Sequence, residues 1–217
     1  MNIEEFKQKI ITYPQGSTNG YTLIGPDGLN NIEYLLRKVK DENIKGDFVE
    51  TGAWKGGACI FARGIMNELG IKGKVYVCDS YKGLPVPDVE CYPVDRGDDH
   101  HSIDDLRISK KDVEDNFKKF NLLENVIFVE GWFKDTLPEL KKEIKNISIL
   151  RLDGDMYQST MEALENLYPL VSVGGYIIID DYLLWRAKRA LDDFMKKYDI
   201  TSTIEYVDKT YFWKKER

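Results

Sequence analysis

Short runs of Val, Ile, Leu and aromatic residues recur along this chain, separated by longer mixed segments. Five of them read as strands: Asp47–Thr51, Lys74–Cys78, Val126–Val129, Ser148–Asp153 and Tyr176–Asp180. Two more, Thr203–Val207 and Tyr211–Trp213, are joined by Asp208-Lys209 and read as an antiparallel hairpin. The middle runs are continuously apolar rather than alternating, as strands covered on both faces of a parallel sheet are. Helix signals fill the gaps. Ser159 with Glu162 predicts a capping box opening a helix over Thr160–Tyr168, and Thr136 with Glu139 predicts a second, with Pro138 near its start. Ser109 with Asp112 predicts a third, before Val113–Phe120. Gly174-Gly175 is expected to stop one helix and turn the chain into the next strand. Alternation of this kind over residues 47–200 predicts an α/β fold built on an open, mostly parallel sheet. The expected organisation is one domain, 1–217, with residues 1–45 as an N-terminal helical cap.

Between the second strand and the helix at Ser109, the connection Tyr81–Ile108 carries Pro85, Pro87 and Pro93, many Asp, and the pair His100-His101. A connection this long is usually functional or disordered. Its Leu84, Val86, Tyr92 and Ile103 are too apolar for disorder, so a lid over ligand is expected. For the His pair, contact with substrate or service as a proton acceptor competes with a plain exposed loop position.

Composition narrows the chemistry. The chain has 217 residues, 42% of them hydrophobic, enough for a sizeable core. Its 31 basic against 37 acidic residues exclude a nucleic-acid backbone as the main partner, which needs a cationic face. The three cysteines form no C-x-x-C pair and the two histidines are adjacent, so a thiolate or spaced-imidazole metal site is excluded. Any divalent ion must then be held by carboxylates, which points to a hard cation such as Mg2+. The charged start MNIEEFKQKI has no signal-peptide core, and no apolar run is long enough for a membrane span. A soluble, cytoplasmic protein is expected. Aromatic residues near both ends (Tyr13, Tyr21, Tyr211, Phe212, Trp213) suggest a self-interface and hence a homo-oligomer.

In an open α/β sheet, ligands sit beyond the carboxyl ends of the strands. The first strand ends in Glu50-Thr51-Gly52-Ala53-Trp54-Lys55-Gly56-Gly57, a glycine turn that is neither G-x-G-x-x-G nor a phosphate loop. Gly52 permits the turn, and Gly56-Gly57 is expected to open a helix with free N–H groups. Glu50 would repel a pyrophosphate and suit an amine or a sulfonium; a turn needed only for packing is the competing reading. The second strand ends in Asp79-Ser80, where an acid typically takes ribose hydroxyls. Gly131-Trp132 follows the third, where Trp132 either covers an aromatic base or fills a core. The fourth and fifth end in Asp153-Gly154-Asp155 and Asp180-Asp181. Carboxylates massed there need a counter-charge, either a shared metal ion or pairing with Arg151 or Arg186.

Five collinear motifs carry a family resemblance: Gly46–Ala58, Asp79–Pro85, Gly131–Pro138, Leu150–Thr160 and Gly174–Tyr182. On them the chain resembles the macrocin O-methyltransferase (TylF/MycF) family of S-adenosylmethionine-dependent sugar O-methyltransferases. It departs from the family pattern at Lys55 and Gln158, where Arg and Glu are usual. The resemblance implies a Rossmann-like class I methyltransferase fold with a seven-stranded sheet. It implies that Glu50, Thr51, Gly52, Trp54, Gly56 and Gly57 hold the methionine part of S-adenosylmethionine. Asp79 and Ser80 would meet its ribose, and Gly131 and Trp132 its adenine. Thr22, Leu23 and Asp153 would also touch it. Asp153, Asp180 and Asp181 would be Mg2+ ligands, with Asp153 the candidate general base, offering its second oxygen to the hydroxyl proton. The acceptor is expected to be a sugar or glycosylated natural product; a catechol-like vicinal diol is the alternative.

Overall fold

Alternate residues of the central strands bury against opposite helical layers, although apolar residues stand at both alternating sets of positions. In the computed structural model, which describes residues 2–11, 20–207 and 210–217, β1 (Asp47–Thr51) sends Phe48 to one side and Val49 to the other. β4 (Ile147–Leu152) divides Ile149 from Leu150, and β5 (Val171–Ile179) divides Ile178 from Ile177. The period of two that the sequence conceals is thus intact in the packing.

One layer holds α1 (Ile3–Ile10), α2 (Pro26–Asp41), α3 (Gly57–Leu69) and α4 (Lys110–Lys119). The other holds α5 (Phe133–Glu143), α6 (Tyr157–Leu167) and α7 (Trp185–Lys197). With β2 (Val75–Asp79), β3 (Val126–Glu130), β6 (Glu205–Val207) and β7 (Thr210–Lys214), the sheet has seven strands in the order β3-β2-β1-β4-β5-β7-β6. β1 to β5 are parallel, and β7 pairs antiparallel with both β5 and β6. The order reverses between β1 and β4, which opens the crevice where such sheets bind ligands.

Several expectations change. α6 begins at Tyr157, so Ser159 lies inside the helix and does not cap it. The cap comes from far away: Asp95 accepts the N–H groups of Tyr157 and Gln158 at 2.9 and 2.8 Å. α5 likewise starts at Phe133, which places Pro138 in its interior and turns the Thr136 hydroxyl back onto the Trp132 carbonyl. Only Ser109 caps as predicted, accepting from the Asp112 N–H. Gly174 and Gly175 do not end a helix. They lie within β5, where the β4–β5 register shifts and a Cβ at Gly175 would stand 2.9 Å from the Ser148 carbonyl oxygen.

Phe212 and Trp213 are buried inside the chain, so they do not offer an oligomer surface. Tyr13 and the Asp208-Lys209 turn lie outside the described residues. The 81–108 connection contains three short 3-10 turns, Pro93–Asp95, His100–Ser102 and Asp104–Leu106. No helix among the described residues is long and apolar enough to cross a membrane.

Candidate active site

The glycine turn after β1 is built by close approach. Gly52 has φ +91°, and a Cβ there would stand 1.6 Å from the Asp153 carbonyl oxygen, so no side chain is tolerated. Asp79, at the end of β2, ties the same turn down: one of its oxygens accepts the N–H groups of Ala53 and Trp54 (2.7 and 3.3 Å), the other that of Tyr81 (2.8 Å). Burial pushes the Asp79 carboxyl up, and these backbone donors oppose the rise. The N–H groups expected to be free at the start of α3 are taken. Gly56 donates to Ala53 and Gly57 to the Tyr21 carbonyl, at 2.7 and 2.8 Å. That second bond pins the N-terminal segment over the turn and brings Thr22 and Leu23 into the site.

Above the strand ends lies a cavity of about 1010 Å³. This is at the upper end of the range for small-molecule sites and leaves room for two ligands side by side. Of the residues singled out from sequence, Thr22, Leu23, Glu50, Gly52, Trp54, Asp79, Ser80, Gly131, Trp132, Asp153, Asp180 and Asp181 line it. Thr51, Gly56 and Gly57 do not. Thr51 is buried, with its hydroxyl directed at the Arg151 carbonyl, and the two glycines support the turn from behind. Ser80 reaches the cavity, but its hydroxyl donates to the Gly83 carbonyl at 2.6 Å within its own turn.

Arg151 organises the floor. It is paired across the strands with Glu50, is 1% exposed, and donates to Glu50, to Asp153 at 2.6 Å and to Asp180. Burial alone would lower its pKa, but Asp180, Asp153 and Glu50 together hold it well above the ordinary value. The cation facing Glu50 is therefore this arginine, and the second Glu50 oxygen accepts the Cys59 thiol at 2.7 Å. Arg186 takes no part in the floor; it pairs with Asp95 and Asp98.

One guanidinium does not neutralise the floor. Asp153, Asp180 and Asp181 each present an oxygen, all within 4.8 Å of one another, and Asp181 also accepts the Asp155 N–H at 2.8 Å. Burial, then the neighbouring carboxylates, push Asp153 and Asp181 well above the aspartate range. Three converging oxygen donors with surplus negative charge fit a hard dication.

A family model described as Macrocin-O-methyltransferase (TylF) matches residues 7–215. The chain belongs to this family. It is 42% identical over 204 residues to demethyldecarbamoylnovobiocin O-methyltransferase of Streptomyces niveus, covering 92% of this chain and 77% of that one. It is 35% identical over 219 residues to mycinamicin III 3''-O-methyltransferase of Micromonospora griseorubida, covering 98% and 84%. Among solved structures, the O-methyltransferase NovP superposes with a TM-score of 0.88 at 41% identity, over 93% of this chain and 84% of that one. This macrocin O-methyltransferase relative is an S-adenosylmethionine-dependent O-methyltransferase.

Several cavity residues were not among the cofactor or metal residues expected from sequence. Gln158 and Glu162 form a hydrogen-bonded pair on α6 (2.8 Å), and Lys134, whose backbone N–H also reaches Glu162, lines the same cavity. His100 also lines the cavity, with its Nδ1 against both oxygens of Asp98 at 3.0 and 2.9 Å. The spacing Asp98-x-His100 was the available signal. His101 does not line the cavity.

Proposed function

We propose that this enzyme moves the methyl group of S-adenosylmethionine to a hydroxyl of a sugar or glycosylated natural product, with Mg2+ held by Asp153, Asp180 and Asp181. The observation that carries the metal assignment is the convergence of those three carboxylates at the ends of adjacent strands, on the floor of a cavity with room for two ligands. A relative 38% identical over 200 residues, the 8-demethyl-8-(2,3-dimethoxy-alpha-L-rhamnosyl)-tetracenomycin-C 4'-O-methyltransferase of Streptomyces olivaceus, has a rhamnosyl group in the name of its acceptor and supports the sugar. The work would take place in the cytoplasm.

Bound Mg2+ would supply charge that acidifies a hydroxyl and holds it in place. The chain's own residues do the rest. The Gly52 turn and Asp79 shape the cofactor's berth, with Thr22 and Leu23 closing it from the N-terminal side and Ser80, Gly131 and Trp132 along its wall. Arg151 locks Asp153 and Asp180 in position, so the acceptor meets a preformed floor. The 81–108 connection excludes water from the sulfonium. Asp153 would be one of the ligands of the ion. As a base it has less to offer, because its Oδ2 already accepts from Arg151.

The test uses S-adenosylmethionine labelled in its methyl group, a panel of methyl glycosides and a simple catechol, with and without chelator. Transfer to a glycoside that stops in chelator and returns with Mg2+ is expected. Undiminished transfer in chelator removes the metal role, and transfer confined to the catechol replaces the sugar acceptor.

A further inference from the structure

We propose that His100 accepts the proton of the acceptor hydroxyl as the methyl group arrives, with Asp98 fixing its tautomer. This rests on the methyl-transfer reading above and adds a residue to it. Asp98 is buried, with a side chain only 1% exposed. It accepts the His100 backbone N–H at 3.0 Å as well as the ring Nδ1–H. A ring whose Nδ1–H is given to a carboxylate carries its lone pair on Nε2, the arrangement that makes a histidine a proton acceptor.

The pair is braced from outside the loop. Arg186 of α7 stands 3.4 Å from Asp98 and 3.9 Å from Asp95, and it donates to the Arg96 carbonyl at 3.2 Å. Asp95 in turn holds the start of α6. The imidazole therefore sits on a scaffold tied to two helices, within a connection that could otherwise move freely.

What faces the ring is acidic. Its own connection contributes Asp98, hydrogen-bonded to the ring, the loop after β4 contributes Asp155 on the same cavity wall, and Arg186 of α7 stands behind Asp98. The ring lines the same cavity as Asp153, Asp155, Asp180 and Asp181, which places it over the acid floor. Among the described residues lining the cavity, His100 is the only imidazole. Asp153, the other candidate, shares an oxygen with Arg151 and would share the second with a dication, and both cations weaken it as a base. Among the described residues, the ring's hydrogen-bond partner is Asp98, and no arginine or lysine is bonded to it.

The step balances. Nε2 takes the proton from the O–H, and the freed oxygen pair forms the new C–O bond to the methyl carbon. The C–S bond breaks with its pair on sulfur, so the sulfonium becomes the neutral thioether of S-adenosylhomocysteine. The imidazolium, facing Asp98, then gives its proton to water.

The experiment uses the full-length enzyme with Mg2+ and whichever methyl glycoside it methylates. His100→Ala is expected to lower kcat about 100- to 1000-fold, with KM for both substrates changed less than about threefold. Added imidazole is expected to restore part of that kcat and to leave wild type unaffected. Asp98→Asn is expected to lower kcat without imidazole rescue. A kcat for His100→Ala within about threefold of wild type would overturn the proposal, as would a large loss carried wholly in KM. Because the chain has two histidines, ring 15N spectra of wild type with S-adenosylhomocysteine give a reading independent of any variant. A protonated Nδ1 with a bare Nε2 at His100 is expected; the opposite tautomer sinks the assignment. Failure of wild type to methylate any glycoside would instead count against the function itself.

Discussion

Two clusters of aspartates serve this protein in opposite ways. In the 81–108 connection, Asp95 spends both oxygens on the first N–H groups of α6, and Asp98 spends both on His100 while Arg186 stands near each. At the strand ends, Asp153 and Asp180 share a single guanidinium, and together with Asp181 they keep oxygens turned toward one another. The first cluster is satisfied within the protein and acts as a structural brace. The second is short of positive charge, and its deficit is the capacity to hold a cation. An acidic residue count does not separate the two cases; partner accounting does.

Removing Arg151 tests the contrast most severely. Arg151→Met keeps the bulk but leaves Glu50, Asp153 and Asp180 without their shared partner. Breaking a buried ion pair costs about 3–5 kcal/mol, so thermal unfolding is expected to fall on the order of 10 °C, with part of the loss recovered in millimolar Mg2+. A loss no greater than that of the loop variant below would mean that the strand-end cluster is not short of cations.

Asp95→Ala strikes the satisfied cluster. It removes the two bonds that cap α6, worth about 1–2 kcal/mol, and unfolding should drop by roughly 2–8 °C. Mg2+ should return none of it. A Mg2+-dependent recovery here would erase the distinction between the two clusters.

The pH dependence of the metal-free protein reads the strand-end deficit directly. Burial and mutual repulsion raise Asp153, Asp155 and Asp181 in the fold. Each therefore binds its proton more tightly folded than unfolded. Their contribution to stability is fully present below the ordinary aspartate value of about 3.9 and is lost as pH rises through the raised folded values. Denaturant midpoints in chelator should decline from mildly acid toward neutral pH, and Asp181→Asn should flatten that decline. Saturating Mg2+ should flatten it too. A midpoint that climbs over the same range in chelator contradicts the deficit.

The same partner accounting explains what could be read from the chain alone. The central strands were legible because apolar residues on both faces leave few alternatives. The strand-end acids were legible because polar residues directly after such runs must face the crevice. The start of α4 was legible in Ser109, whereas that of α6 was not, since its cap is Asp95, some sixty positions upstream by the bonds it makes to Tyr157 and Gln158. β5 was read too short because the glycine pair inside it carries a register shift that resembles a stop. Arg151 was visible as a rival partner for the acids, but its reach to Glu50 as well depended on the β1–β4 register. Ser80 and the N–H groups of Gly56 and Gly57 looked available from sequence, and proved to be used by the protein itself.

The smallest expected effect concerns where the brace ends. Asp95, Asp98 and Arg186 hold the 95–100 part of the connection to α6 and α7, whereas its far part is tied to the glycine turn by the Trp54 indole N–H, which donates to the Asp105 carbonyl at 2.8 Å. Trp54→Phe removes that one bond and keeps an aromatic ring for Lys55, whose ammonium lies 4.3 Å from the present ring centroid. The cost is about 0.5–1.5 kcal/mol, small enough to move global unfolding by only a few degrees. Its local consequence should be sharper. Hydrogen exchange is expected to quicken at residues 103–107 and to stay unchanged at 95–102, because the buried carboxylates there keep their partners. Equal acceleration across both stretches would mean that the connection opens as one unit, and that the aspartate brace does not by itself hold His100 over the floor.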